Sequence, residues 1–268
     1  MEKKIGFIGS GSMATAILGG LLTSGIAQAE NIIASALTEK TVTSINREYK
    51  IRTTRDNIEV AATADFLFLA VKPDQYAGVI EEVRNHIQES TIVITIAAGV
   101  TLDSMGKQFG DRVKIVRTMP NTPSLVGEGM SALCRNENVS DAEMEEVLEL
   151  FESFGKAEVL EEYLMDAVPA VSGSSPAYVF MFIEALADGA VKQGISREKA
   201  YKMAAQAVLG AAKMVLETES HPGELKDAVC SPGGATIEAV STLEKTGFRA
   251  SVLSAMESCY KKSSNMID

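Results

Sequence analysis

Residues 4–8 (KIGFI) run directly into Gly9-Ser10-Gly11-Ser12-Met13-Ala14, and this stretch constrains the fold more than any other part of the chain. An apolar strand that ends in Gly-x-Gly-x-x-Ala, followed by small and apolar residues at helical spacing, opens a βαβ unit. Gly9 permits the tight strand-to-helix turn, Gly11 lets the backbone approach a pyrophosphate, and Ala14 allows close packing of helix on strand. The helix that starts here presents free N–H groups and partial positive charge to phosphates. The pattern predicts a dinucleotide site; the same glycines without the flanking strand and helix would describe any tight turn.

The residues that follow repeat the unit. Residues 31–35 (NIIAS), 65–71 (DFLFLAV), 91–96 (TIVITI) and 113–116 read as strands, with a polar helix at 38–48. After Asp65, DFLFLAV is a continuous apolar run, as expected of a parallel strand covered on both faces, and TIVITI is β-branched throughout. Strand and helix alternating in units of about 30 residues predict right-handed crossovers and an α/β fold with a doubly wound parallel (Rossmann) sheet. A turn at Met119-Pro120-Asn121-Thr122-Pro123 closes this part. After about residue 162, Ala, Met, Leu, Glu and Lys at helical spacing take over. Ser174-Ser175-Pro176 predicts a helix start, with Gly194 ending that helix and Ser196 capping the next. His221-Pro222, Gly233-Gly234 and Gly247 open three more. The domains expected are therefore a sheet domain at 1–163 and an all-helical domain at 164–268.

Composition narrows the partners. Among 268 residues, 25 Lys and Arg stand against 36 Asp and Glu, a net charge of −11. Such a chain is a poor phosphate-tracking nucleic-acid binder, and it must collect an anionic substrate with local donors. Cys134, Cys230 and Cys259 lie far apart without C-x-x-C spacing, and His86 and His221 are the only histidines. No metal site and no disulfide framework is expected, which suits a reducing compartment. No continuous apolar segment reaches the ~18 residues of a membrane span, and the apolar run after the N-terminal lysines is too short for a signal peptide. The expectation is a soluble cytoplasmic protein with no membrane partner.

Ligand positions follow from strand ends. After the second strand, Ser35-Ala36-Leu37-Thr38 contains no acid before Glu39, which favours NADP over NAD, although no Arg follows directly. Ala70-Val71-Lys72-Pro73 and Ala97-Ala98-Gly99 end two further strands, where parallel sheets place ligands. Lys72 is either an anchor for phosphate or substrate or a solvated loop lysine. In the helical half, the loops at 172–177 and 230–236 each precede a helix and read as anion nests, the alternative being plain helix caps. Cys230 reads as a small packing residue and His221 as a capping or packing one.

Taken together and in order, GFIGSGSMATAI, AVKP, VRTMPNTP, VSGSSPAY and DAVCSPGGATIEAVSTLE resemble the pyrroline-5-carboxylate reductase family over nearly the whole chain. The SPGGATIEAVSTLE stretch is the specific part. The resemblance implies a C-terminal helical dimerisation domain and NAD(P)H-dependent reduction of 1-pyrroline-5-carboxylate to L-proline, the final step of proline biosynthesis. It implies NADPH as cofactor with NADH the alternative, a cyclic imino acid as substrate, and a homodimer, and leaves assembly into a larger ring such as a decamer open. By motif, Ile8, Gly9, Ser10, Gly11, Ser12 and Met13 would hold the pyrophosphate, and Ser35 and Asn57 the adenosine end. Ala70, Val71, Lys72 and Pro73, with Ala97, Ala98 and Gly99, would flank the ribose and nicotinamide. Glu219, Val229, Ser231, Gly233, Gly234, Ala235 and Thr236 would form the substrate pocket, Thr236 being the candidate catalytic hydroxyl. Ala36-Leu37 and Pro169 depart from the residues common in the family. A 3-hydroxyacid dehydrogenase shares the glycine-rich start, but its catalytic Lys sits on the helix after its glycine loop, and residues 178–191 hold no lysine. A cofactor-binding sensor without catalysis is the remaining reading.

Overall fold

The structure, a computed structural model, describes residues 2–264. Eight strands build its sheet: β1 Ile5–Ile8, β2 Ile32–Ser35, β3 Arg52–Thr54, β4 Phe66–Leu69, β5 Ile92–Thr95, β6 Lys114–Met119, β7 Gly129–Arg135 and β8 Gly155–Val159. Their order across the sheet is β3-β2-β1-β4-β5-β6-β7-β8. All neighbours are parallel except β6 and β7, so the sheet expected to be parallel throughout is mostly parallel with one reversed pair. The reversal follows from the short connection at residues 120–128, which is too brief for a crossover helix. β3, β7 and β8 were not expected from the sequence. β3 is three polar residues at one edge and β8 is largely exposed at the other, so neither shows an apolar run.

Alternation along the strands separates two cores. Ile5, Phe7, Phe66, Phe68, Ile92 and Ile94 face one side. There they meet Ala14, Ile17 and Leu21 of helix α1 (Ser12–Thr23), Ile45 of α2 (Glu39–Tyr49), and Val147, Leu150 and Phe151 of a helix at Asp141–Glu152. Ile8, Ile33, Leu67, Leu69 and Val93 face the other. That side is covered by α3 (Asn57–Thr63), α4 (Tyr76–Val83) and α5 (Leu102–Phe109), and the Asp141–Glu152 helix is α6. Phe7 stacks on Phe68 with ring centroids 4.7 Å apart, fixing the centre of the first core.

The start of α6 carries a capping box. Glu143 accepts from the Ser140 amide at 2.9 Å, while Ser140 Oγ accepts from the Glu143 amide, and Lys114 pairs with the same carboxylate. Burial works to raise the Glu143 carboxyl, but the Lys114 and Ser140 hydrogen bonds outweigh it and bring it down to about 2 from the ordinary 4.5. A carboxyl lowered on folding stabilises above its unfolded value and loses that contribution as pH falls toward its folded one. Stability should therefore fall between pH 4.5 and about 2. Glu143→Gln should be less stable at neutral pH and show a shallower loss in acid, read by denaturant unfolding at several pH values. Equal acid slopes in both proteins would refute this.

The chain divides into two compact units, 2–174 with 259–264, and 175–258. The sequence places the domain boundary at 163/164. Residues 162–174 stay with the sheet because buried Arg117 on β6 binds Glu162 at 3.2 Å and Asp166 at 2.7 Å. Met165 and Val168 also join the core patch of Met119, Ala132 and Cys134, and Asn121 Nδ2 donates to the Ser172 carbonyl.

The second unit holds α7 (Ser175–Lys192), α8 (Arg197–Thr218), α9 (Pro222–Ala228), α10 (Ala235–Lys245) and most of α11 (Phe248–Ser264). Ser196 stands at the N-cap of α8 but makes no side-chain cap bond. Ala187, Ala200 and Ala204 are the only buried residues described in this unit, whereas Phe180, Met181, Met203, Leu216 and Leu253 are exposed. The helical run Glu162–Lys192 is long and apolar enough on average to cross a membrane by length and composition alone. Ser, Gly, Glu184 and Asp188 interrupt it, so it holds no continuous apolar segment of span length.

Candidate functional site

The strand-to-helix turn after β1 is built around two glycines with different reasons to be glycine. Gly9 has φ +96°, and a Cβ there would lie 2.7 Å from the Ala70 carbonyl oxygen, so the fold itself requires it. Gly11 is extended (φ −77°, ψ −178°), caps α1 without a side-chain bond, and a Cβ there would meet nothing within 4 Å. Protein packing does not explain Gly11; open space lies where a ligand would approach the first turn of α1. That turn carries no acid, and its leading amides have no helical acceptor. The arrangement fits a pyrophosphate.

Two connected hollows extend from this turn along the carboxyl ends of β1, β2 and β4. One, about 330 Å³, is lined by Gly9, Ser35, Ala36, Leu37, Arg55, Asn57, Val71, Gln75, Gly78, Val79 and Glu82. The other, about 240 Å³, shares Gly9, Ala36, Leu37, Val71 and Gln75 and adds Ser10, Gly11, Thr38, Thr41, Ala70 and Lys72. Eight of the expected cofactor residues thus meet in one place: Gly9, Ser10, Gly11, Ser35, Asn57, Ala70, Val71 and Lys72. Ile8 is fully buried in the core, Ser12 and Met13 form the first turn of α1, Pro73 opens a 3-10 turn, and Ala97, Ala98 and Gly99 follow β5. These seven do not line the hollows.

Hydrogen bonds set the polar groups. Ser10 Oγ donates to the Ser35 carbonyl at 2.9 Å. Ser35 Oγ donates to Asn57 Oδ1 at 2.6 Å, and Asn57 Nδ2 donates to Glu82 Oε2 at 2.8 Å. Leu37 is 82 % exposed and offers an apolar surface at the rim. Arg55, Glu82, Gln75, Thr38 and Thr41 were absent from the sequence expectation. Beneath the site, Tyr76 donates to the Leu69 carbonyl at 2.6 Å and pairs with Thr95. Burial pushes its phenol up to about 12, so it stays neutral and acts as a structural tie.

In the helical unit Val229, Ser231 and Gly233 to Thr236 fall at the α9–α10 turn, whereas Glu219 lies at the end of α8. His221 caps α9, its Nδ1 accepting from the Gly223 amide at 3.0 Å. Glu219 ends α8 in the left-handed region, φ 54°. Val229 is exposed, Cys230 is half-buried, and the Cys230 amide donates to Asp227. The Gly234 amide donates to the Ser231 carbonyl at 3.0 Å, so the nest is narrower than expected. Gly234 caps α10 without a side chain, which leaves the amides of Ala235 and Thr236 without helical acceptors. Thr236 is exposed, and its hydroxyl has no partner among the described residues. The other expected nest, at 172–177, is corrected: Pro169–Gly173 is a π-helical turn, and the Ser174 amide is spent on the Pro169 carbonyl at 2.7 Å.

A glycine turn open over a helix start, at the carboxyl edge of a mostly parallel sheet, with an all-helical second unit, defines a dinucleotide-dependent oxidoreductase. Residues 4–99 match the family described as "NADP oxidoreductase coenzyme F420-dependent", and residues 162–266 match "Pyrroline-5-carboxylate reductase dimerisation". The pyrroline-5-carboxylate reductase of Escherichia coli is 50% identical over 266 residues, covering 99% of both chains. That of Methanosarcina acetivorans is 43% identical, covering 95% of this chain and 94% of the relative. The crystal structure of Plasmodium falciparum pyrroline carboxylate reductase with NADP bound superposes with TM-score 0.90 at 34% identity, covering all of both chains. The chain belongs to the pyrroline-5-carboxylate reductase family.

Proposed function

We propose that this chain reduces 1-pyrroline-5-carboxylate to L-proline with NADPH, NADH being the alternative donor. It does so in the cytoplasm as a homodimer, the building block of any larger ring, a decamer included, without nucleic-acid or membrane partners. One observation carries the reading: the match to the Escherichia coli enzyme runs along 99% of both chains, so the dinucleotide half and the helical half fall within it together.

The reduced nicotinamide supplies the hydride that the imine carbon accepts, and the ring nitrogen takes a proton. The residues of the chain bind and orient. Gly9 to Gly11 and the leading amides of α1 at Ser12 and Met13 cradle the pyrophosphate, with Ile8 beneath them in the core; Ser35 and Asn57 hold the adenosine end, and 70–73 with 97–99 flank the ribose and nicotinamide. Ser231 and the amides of the loop from Gly233 through Gly234 and Ala235 to Thr236 take the substrate carboxylate. Val229 and Glu219 border the ring, and the Thr236 hydroxyl donates the proton at the ring nitrogen. With a net charge of −11, long-range attraction does not gather an anionic substrate, so these short-range donors carry its binding.

The deciding assay is NADPH oxidation with 1-pyrroline-5-carboxylate, run beside NADP⁺ reduction with 3-hydroxy acids. Turnover with the imine and none with the hydroxy acids is expected; the reverse identifies a dehydrogenase, and binding without turnover a sensor. Thr236→Val should lower kcat/KM by about ten- to a hundredfold, the value of one hydrogen bond to a charged group, with NADPH affinity unchanged. Thr236→Ser should restore most of it. Wild-type kinetics in the valine variant would place the substrate elsewhere.

A further inference from the structure

We propose that Arg55 reads the adenosine 2′-phosphate, so that this chain selects NADPH over NADH from the turn after β3 and not from the end of β2. The inference rests on the cofactor reading above and deepens it. β3 pairs with β2 in parallel with Thr54 opposite Ser35, and the Ala36 amide donates to the Thr54 carbonyl at 3.2 Å. Arg55 is therefore one step past the partner of Ser35, at the sheet edge where the ribose of a dinucleotide is recognised. It lines the same hollow as Ser35, Leu37 and Asn57.

Three other polar groups there, Ser35, Asn57 and Glu82, are tied to one another, and Gln75 carries no charge. Ser35 spends its only proton on Asn57 Oδ1, so it offers a phosphate no donor while that bond holds. Asn57 gives one amide proton to Glu82. Asp56, next to Arg55, turns its carboxylate to cap α3, accepting from the Ile58 and Glu59 amides. Nearby Arg52 is engaged with Glu59. Arg55 itself is exposed and has no ion pair or hydrogen bond among the described residues, in a chain where acids outnumber bases 36 to 25. A guanidinium left free in this setting presents its fork to a dianion, and arginine binds phosphate in two parallel bonds.

Glu82 sharpens the role. It lines the same hollow and repels a phosphate, so without Arg55 the hollow carries uncompensated negative charge and discriminates against NADPH. The two residues push selectivity in opposite directions.

Equilibrium binding of NADPH and NADH to the intact oligomer, followed by nucleotide fluorescence, tests this, with 2′,5′-ADP and 5′-ADP as competing probes. Arg55→Gln should weaken NADPH and 2′,5′-ADP by about ten- to a hundredfold, with NADH and 5′-ADP changed less than about threefold. Arg55→Lys should keep the preference in part. Glu82→Gln, which retains an acceptor for Asn57, should tighten NADPH several-fold. Salt should weaken NADPH more in the wild type than in Arg55→Gln. Equal losses for both dinucleotides, or none for NADPH, would overturn the assignment while leaving the cofactor reading intact. A wild type that binds neither dinucleotide would overturn both.

Discussion

A Gly11→Val variant is expected to fold like the wild type and to lose NADPH. The backbone at this position (φ −77°, ψ −178°) accepts a β-branched residue, and its Cβ would meet no protein atom within 4 Å. Glycine is a better N-cap than valine, so the fold loses about 1 kcal/mol, too little to unfold it. The ligand loses more, because the valine side chain occupies the space over the first turn of α1 and holds the pyrophosphate off the amides. Each charge-assisted bond lost is worth about 1.5–3 kcal/mol, so two give a rise in dissociation constant of at least about a hundredfold. Gly9→Val is the contrast. There the added carbon meets the Ala70 carbonyl in a φ +96° backbone, and the melting temperature itself should drop. Nucleotide titration and thermal melting of the two variants separate the ligand's requirement from the fold's. Unchanged NADPH affinity in folded Gly11→Val would remove the pyrophosphate from this turn.

That contrast also marks how far the sequence could be read. Gly9, Gly11 and Ala14 announced the turn because each meets a need that few residues satisfy, and Ala14 is indeed packed in the core. β1, β2, β4 and β5 were visible because both faces are covered, which leaves apolar runs. The helices of the second unit were visible through their punctuation: Gly194 and Gly247 at positive φ, and Pro222 at the start of α9. β3 was not visible, since Arg52, Thr53 and Thr54 sit at a sheet edge and bury little, and with β3 went the placement of Arg55. Glu82 is an ordinary exposed position on α4 until tertiary structure brings it to Asn57, 25 residues away in sequence. The π turn at Pro169–Gly173 depends on residues 162–174 being drawn to the sheet by Arg117, a long-range bond that no local pattern records.

Replacing both Phe180 and Met181 with Asp should convert the homo-oligomer into inactive monomers. These α7 residues are 63 % and 70 % exposed within the chain, so the substitutions remove little intramolecular packing. They lie inside the segment that matches the dimerisation family, 162–266. Burying such a side chain contributes about 1.5–3 kcal/mol, and a two-fold interface counts each position twice, so the pair is worth about 6–12 kcal/mol. A nanomolar dimer is held by about 12 kcal/mol, and desolvating four carboxylates adds to the loss, so no dimer should remain at micromolar concentration. The monomer then faces a second difficulty. The unit 175–258 buries only Ala187, Ala200 and Ala204, too small a core to hold five helices against conformational entropy. Sedimentation velocity should show a monomer, far-UV circular dichroism should show lost helix, and imine reduction should be absent, while the sheet unit keeps its NADPH affinity. A variant that sediments as the wild type and turns over normally would mean that this face of α7 is not where two copies meet. The apolar side chains of the second unit would then need another cover, because a helical unit with so little interior does not hold its shape alone.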